Sequence, residues 1–439
     1  MGSYLSSRTP SSHTSPTKDD KEFKVLIAGA GIVGLTIAQG CLNNGIPFEI
    51  FERDQKGSRA QGWALTLHWC LRSFERTIGP KLSALLPTVI SPTLSITLRL
   101  MDAAAVDTTL REDQGNFLYY NCATCKPRYK IPPSKQRLRL SRQKLRDLIA
   151  TGINVQEGKG IQSFETLPGG QGVRAHFADG TSAEGSVIIG ADGNNSVVRQ
   201  QLLPEKAKLN LLPVNLVGVV RHFTPEQAKG VRELDPLLFQ GLHPETGNYL
   251  WFSFQECIPS PTAPDASEQY SYDALVIISW VIKDPVADAI PKTHAERIAL
   301  MKKRAEGYAE PLRSIVMDIP DDLDFTTPLR LSDFPTIPWE NSQGRVTLAG
   351  DSAHAMTMYR GEGANHGILD AALLVDELVK VHQGQKVLKD AVDAYEAEMI
   401  PRAHAAVLKS RQAALDAHDW DSLTEASPCI GARIPPVTA

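Results

Sequence analysis

The sequence predicts an α/β fold. A discontinuous, Rossmann-like dinucleotide-binding domain carries an inserted, mostly antiparallel β-sheet domain for substrate, and helices close the chain. Three observations predict it. A strand, a glycine turn, a helix and a second strand follow one another from Lys24. Far downstream a short strand runs into Gly350-Asp351, then a glycine-rich loop and a helix. Between about 205 and 335 the sequence shifts to β-rich runs separated by proline-rich loops such as PSPTAPD. The expected boundaries are a tail at 1–21, the nucleotide-binding domain at 22–204 and 335–439, and the substrate layer at 205–334.

The elements follow in order. Val25–Ala28 is an apolar strand, Ile32–Asn44 a helix with Gly45 as its stop, and Phe48–Glu52 the next strand, which makes a βαβ unit. His68 to Leu86 has helical patterning. Leu138 to Ala150 reads as helix with Ser141 as N-cap. Val173, Ala175 and Phe177 alternate with polar residues, Asp179-Gly180 marks a hairpin turn, and Val187–Ile189 is a fully apolar strand of a covered sheet. Asn248–Phe254 and Ala274–Ile282 are strands of the inserted layer, and His294 to Ala309 is helical. Val346–Ala349 is the strand before the Gly-Asp pair. No internal repeat is present.

Bulk properties exclude several functions. A formal net charge of −4 offers no basic face for nucleic acid, and no apolar run approaches the ~20 residues a membrane-spanning helix needs. The first 21 residues are rich in Ser, Thr and Pro and lack an apolar core, so they read as a disordered tail rather than a secretory signal. Six scattered cysteines fit a reduced, cytoplasmic enzyme. Cys122 and Cys125 read as two loop thiols, because no further ligands at zinc spacing lie nearby. His222, His354 and His366 also lack metal-like spacing and read as structural or surface residues; no metal is expected.

Three constellations carry chemistry. In Gly29-Ala30-Gly31-Ile32-Val33-Gly34, Gly29 permits the sharp turn, Gly31 lets backbone approach a pyrophosphate, and Gly34 lets the helix sit close on the sheet. Glu52, 23 residues beyond Gly29, ends the second strand and would accept hydrogen bonds from ribose hydroxyls. The second is Gly190-Ala191-Asp192-Gly193, where Asp192 reads equally as a ligand contact or as a helix cap. The third is GDSAHAMTMYRGEGANHGILDA, from Gly350 to Ala371. It brings the carboxylate of Asp351 and the free N–H groups of a helix beginning near Ala364 to one ligand. A hydroxyl chain suits the carboxylate and an electron-rich ring oxygen suits the N–H groups, which points to a flavin as resident cofactor. A helix N-terminus contributes roughly 0.3–2 kcal/mol to a nearby negative charge, about one pKa unit at a flavin nitrogen.

In this order and spacing the three segments resemble the signatures of the class A flavoprotein monooxygenases, the family typified by para-hydroxybenzoate hydroxylase, over residues 24 to about 380. The finer resemblance is to natural-product tailoring enzymes of secondary metabolism. It implies that the split domain binds FAD. Gly29, Gly31, Gly34 and Glu52 would hold its ADP half, with Arg53 as the basic neighbour. Arg142 would contact the cofactor, Asp192 would tie the pyrophosphate region to the nicotinamide approach path, and Asp351 would bind the ribitol. Gly363, Ala364 and Asn365 would face the pyrimidine end of the ring. Arg59, Gln61, Gly62 and Ala64 would lie near the moving flavin.

One departure stands out. Relatives carry a proline a few residues after the Gly-Asp pair, and here the stretch is Met356-Thr357-Met358-Tyr359. The lost stiffness predicts a more mobile loop, or one shaped for another substrate.

The implied activity is that of an FAD-dependent oxidoreductase. NAD(P)H would bind transiently, there being no second fingerprint. O2 would give a flavin C4a-hydroperoxide, and one oxygen atom would enter a phenolic or otherwise electron-rich small molecule. Arg221 and Tyr249 are the catalytic candidates on the substrate side, although a strand arginine is more often a paired charge and a strand tyrosine more often packing. The run Trp251-Phe252-Phe254 reads as core. Hydroxylation, epoxidation and Baeyer–Villiger insertion are all compatible. Rival readings are a flavin-dependent halogenase, whose lysine and Trp-x-Trp segment are not evident, a polyprenyl reductase, or a non-catalytic FAD-binding sensor.

Overall fold

The computed structural model describes residues 23–55, 57, 64–86, 117–132, 138–259 and 270–434. The N-terminal tail and Arg59, Gln61 and Gly62 lie outside them.

Apolar runs with no polar alternation need cover on both faces, and the two that are fully buried, Val25–Ala28 and Val187–Gly190, sit inside a five-stranded parallel sheet whose flanking strands carry polar residues. Its order is Val346–Leu348, Val187–Gly190, Val25–Ala28, Phe48–Glu52, Val155–Glu157. The register pairs Val25 with both Val187 and Phe48, and Ile188 with Val346. The helix Ile32–Asn43 packs on it together with the helix Gly363–His382, which buries Ile368, Ala371, Ala372 and Val375 as the apolar stripe requires. Gly45 ends the first helix at φ +67°. The hairpin at Asp179-Gly180 joins Val173–Phe177 to Ser182–Gly185 in a three-stranded sheet beside it.

The inserted layer is a seven-stranded sheet. Its order is Thr327–Asp333, Asn210–Phe223, Tyr270–Val281, Tyr249–Pro259, Leu238–Leu242, Leu118–Asn121, Lys126–Lys130, and only the Leu238–Leu242/Leu118–Asn121 pair is parallel. The last two strands correct the expected boundary at 205. They belong to the substrate sheet although they precede the rest of it by about eighty residues in sequence; one is only four residues long and the other is polar, so neither stands out as a strand. Helices Pro225–Leu234, His294–Arg304 and Leu312–Met317 cover the outer face. The end of the long helix Leu388–Asp416 and the segment after it cover the inner face.

Other elements are shorter than their patterns suggest. The His68–Leu86 stretch divides into Leu71–Ile78 and Pro80–Ser83, because Gly79 (φ +82°) and Pro80 interrupt it. Leu138–Ser141 is a strand paired with Ala64–Leu67, and the helix is Arg142–Ile149, with Ser141 Oγ accepting from Lys144 N at 3.4 Å.

Candidate active site

In an open parallel sheet, ligands lie beyond the carboxyl ends of the strands. Here the strand order sets the three motif loops side by side. Ala191 N donates to Ala28 O at 2.8 Å, and Ala349 N to Gly190 O at 2.9 Å. A Cβ on Gly29, which has φ +101°, would lie 2.4 Å from Ala191 O, and one on Gly34 would lie 2.0 Å from Gly29 O. Those two glycines are demanded by contact. A Cβ on Gly31 meets nothing within 4 Å because it would project into open space.

That space is a cavity of about 530 Å³, lined by Gly29–Gly31, Glu52, Arg53, Arg142, Arg146, Asp192–Asn195 and Asp351. Across the sheet the order is Asp351, Asp192, the glycine turn, Glu52. With strands about 4.8 Å apart, the outer carboxylates are separated by roughly 14 Å.

Each acid is held differently. Glu52 Oε2 accepts from Ala30 N at 2.9 Å and Oε1 from Asp54 N at 3.1 Å, so it braces the glycine turn while keeping further lone pairs for a hydroxyl. Of the two readings of Asp192, the structure shows the cap and leaves an oxygen free for the other. Oδ2 caps the helix Val197–Leu202 through Val197 N at 2.8 Å, while Oδ1 is buried with no partner among the described residues. Burial pushes its carboxyl above the ordinary range, against the capping bonds. Asp351 is exposed and opens onto the cavity. Desolvation likewise raises its carboxyl, opposed by His354, Arg142 and Arg199.

The helix Gly363–His382 begins without a side-chain cap. A Cβ on Gly363 would be 3.9 Å from Asp351 Oδ1, so the helix's free N–H groups and this carboxylate share one locality. Asn365 contributes no side chain to a ligand. Its Oδ1 accepts from His68 N at 2.9 Å, and its Nδ2 donates to Thr66 O at 2.9 Å and Gly361 O at 3.2 Å. It sews the helix start to the strand of Ala64, and only its backbone is left to face a ring. Arg53 is exposed at the cavity rim, 3.9 Å from Asp54.

The candidates on the substrate side require correction. Arg221 and Tyr249 lie on opposite faces of the seven-stranded sheet and cannot cooperate. Arg221 points outward and donates to Ser314 O at 3.0 Å and Ile315 O at 2.8 Å, beside Asp318 and over the Phe223 ring. It caps the C-terminal end of a helix rather than meeting substrate. Tyr249 faces inward but donates to Gln240 Oε1 at 2.5 Å, and burial holds its phenol well above the usual range, which rules out a base. Phe252 and Phe254 are core, while half-buried Trp251 faces inward against Phe117.

Two positioning groups escaped the sequence reading. Arg146 Nε donates to Ala30 O at 2.9 Å, putting a second cation beside the glycine turn. Arg199 is 1% exposed and donates to Asn194 O, Ala207 O and Ser352 O, tying the second motif loop to the third. The periodic signal was present only as a polar residue on the buried face of a short helix. Among the described residues no His, Cys, Asp and Glu cluster suits a metal. Cys122 is buried and Cys125 half-buried, both as free thiols. His222 is a surface residue beside Asp273.

The loop expected to be mobile is held instead. Thr357 Oγ1 donates to Ser410 O at 2.7 Å, the Tyr359 hydroxyl meets Ser279 Oγ at 2.8 Å, and Arg360 pairs with Glu362 at 2.5 Å.

The cavity suits a molecule with a central diphosphate between two hydroxylated chains. Glu52 and Asp351 stand at its ends for hydroxyls, and N–H groups with Arg142 and Arg146 stand between them for phosphates. FAD has that layout, and the orphaned Asp192 Oδ1 and the open cradle at Gly31 are the places such a ligand would fill. Glu52→Ala should therefore weaken FAD binding by about tenfold or more, the scale of a hydrogen bond to a charged group, and should loosen the glycine turn without unfolding the sheet. An unchanged FAD dissociation constant by titration would remove Glu52 from the site.

Comparison with known proteins agrees. A family model described as FAD binding domain matches residues 306–410. The chain is 38% identical over 93% of its length to a "Probable FAD-dependent monooxygenase" of Arthroderma benhamiae, covering 95% of that protein. It is 38% identical over 91% of its length to FAD-dependent monooxygenase dbaB of Emericella nidulans, covering 96% of that one. Its fold matches Klebsiella pneumoniae HpxO complexed with FAD and uric acid at a TM-score of 0.67 and 17% identity, over 92% of this chain and 90% of the other.

Proposed function

The chain belongs to the FAD-dependent monooxygenases, the class A flavoproteins that its three motifs resemble, and from that premise we propose that it consumes NAD(P)H and O2 to place one oxygen atom on a phenolic or otherwise electron-rich small molecule, as a natural-product tailoring enzyme does. The observation that carries this reading is the order Asp351, Asp192, glycine turn, Glu52 along one cavity.

When bound, FAD supplies hydride acceptance and oxygen activation. The protein's residues supply the rest. Glu52 and Asp351 fix the hydroxyl chains, and Arg142 and Arg146 neutralise the phosphates. The uncapped helix at Gly363 offers its N–H groups and positive end to the ring. Because the single dinucleotide fingerprint is taken by FAD, the nicotinamide visits and leaves. The inner sheet face, closed by the C-terminal segment, excludes water from the reacting centre.

In place of Arg221, Arg139 is the cation we assign to the substrate side. Its NH1 donates to Thr66 Oγ1 at 2.9 Å and its NH2 to Ser253 Oγ, so it bridges the two-stranded ribbon and the inner face of the sheet. Thr66 is the residue whose carbonyl receives Asn365 from the helix start, which puts the guanidinium one strand away from the ring-facing N–H groups. A substrate phenolate or carbonyl oxygen would meet it there. Arg139→Gln should raise KM for the phenolic substrate by about tenfold, as expected for a lost charge-assisted hydrogen bond, with the FAD dissociation constant near wild type. The converse pattern, weaker FAD and an unchanged KM, would displace it from this role.

The functional reading is tested by NADPH oxidation in air. Phenolic compounds should accelerate it, with the product gaining one oxygen atom from labelled O2. Flavin that NADH and NADPH both fail to reduce would overturn it.

A further inference from the structure

The turn Thr357–Gly361 has a backbone that a proline at position 358 would fit. Thr357 is extended (φ −69°, ψ 161°), the conformation a residue before proline adopts. Met358 opens a 3₁₀ turn, Met358–Arg360, and its N–H donates no hydrogen bond among the described residues. Gly361 leaves the turn at φ +64°, and two residues later the uncapped helix begins. A pyrrolidine ring would fix this geometry through chain stiffness. Here side chains from the far end of the molecule do so. Arg433, 9% exposed, donates to Arg360 O at 3.1 Å and Tyr359 O at 3.3 Å, and also to Cys429 O at 3.1 Å and Gly431 O at 2.5 Å. Arg360 answers in the opposite direction, donating to Pro428 O and to Ala432 O at 3.4 Å while it holds Glu362. Two guanidiniums therefore stitch residues 359–362 to residues 428–433 through four main-chain carbonyls, while Cys429 O, Gly431 O and the Glu362 carboxylate fix the guanidiniums within their own segments.

We propose that the C-terminal segment, through Arg433 as a positioning residue, is a working part of the flavin site: it holds the turn Thr357–Gly361, and with it the helix start at Gly363, in one fixed geometry. The inference rests on the FAD reading for its functional half only. The clamp itself is a property of the protein without cofactor.

The test compares full-length wild type, Arg433→Met, and Arg433→Met combined with Met358→Pro. Two quantities are read: backbone hydrogen exchange in the apo protein, and the FAD dissociation constant. Arg433→Met should speed exchange at residues 359–365 and weaken FAD binding, each by about two- to fivefold, the factor one compatible proline is worth through chain entropy. Exchange in Asn210–Phe223 and Tyr270–Val281 should not change. Adding Met358→Pro should restore both quantities, which a merely structural role for Arg433 would not allow. Arg433→Lys, which keeps the charge but loses the planar fork, should fall between the two and serves if Arg433→Met does not fold. Exchange at 359–365 equal to wild type in the variants, or a proline that leaves FAD affinity unrestored, overturns the proposal. Failure of wild type to bind FAD would instead sink the functional reading, while the exchange comparison would still decide the clamp.

Discussion

Asp351→Asn should bind FAD about a hundredfold more weakly than wild type, from the loss of a charge-assisted contact to a hydroxyl, and yet its apo form should be the more stable protein at neutral pH. Both effects come from one cause. Desolvation raises the Asp351 carboxyl above its unfolded value, so the folded chain binds more protons than the unfolded chain between those two values. Stability then falls as pH rises through that window. The asparagine variant carries no such proton. Its advantage in melting temperature should be absent below the ordinary carboxylate range, grow as pH rises through it, and level off above the folded-state value. Thermal melts of both apo proteins across pH give the comparison. A gap that widens as pH falls, or full flavin occupancy in the variant, would contradict the assignment.

Asp370→Ala should have the largest effect on folding. Asp370 is fully buried and accepts from Gly350 N at 2.8 Å, His354 Nε2 at 2.5 Å and Arg402 NH2 at 2.8 Å. Burial alone would push its carboxyl up, but His354 and Arg402 outweigh that and hold it well below the usual range. Arg402 is also bonded to Glu398 and to His366, whose imidazole burial drives down to about 3. Removing the carboxylate leaves a buried guanidinium without its main partner and frees the Gly350 turn. The expected cost is about 3–5 kcal/mol of unfolding free energy, read from denaturant titration, with flavin lost at the same time. A midpoint equal to that of wild type would show that the network does not anchor the Gly-Asp turn.

Residues that interact locally were legible in the sequence, and those that interact at long range were not. The strand at Val25, the glycine turn, the strand at Phe48 and the Gly350-Asp351 loop could be read because each declares itself within a few residues, through an apolar run or a demanded glycine. His354 and His366 were read as structural, and they are, but nothing local announces that Asp370 and Arg402 join them. Lys126–Lys130 is a polar edge strand and Leu118–Asn121 a four-residue run, so the sheet claims them only through the pairing of Leu118–Asn121 with Leu238–Leu242 and with Lys126–Lys130. Arg221 and Tyr249 failed for a reason of parity. Alternation shows that neighbouring strand residues face opposite ways, but not which face meets the cofactor domain. The lack of a proline near Met358 was visible; Arg433, whose guanidinium reaches the carbonyls of Tyr359 and Arg360, stands 75 residues downstream of Met358 and could be found only in three dimensions.

Four adjacent strand ends, carrying Asp351, Asp192, the glycine turn and Glu52, are proposed to hold one FAD. Titration of reconstituted protein with FAD, followed by the visible absorbance of the bound flavin and by heat, tests it most directly. The account predicts a yellow complex with one FAD per chain in the wild type, with affinity reduced in Glu52→Ala and in Asp351→Asn. A colourless protein, or equal affinity in all three, would contradict it.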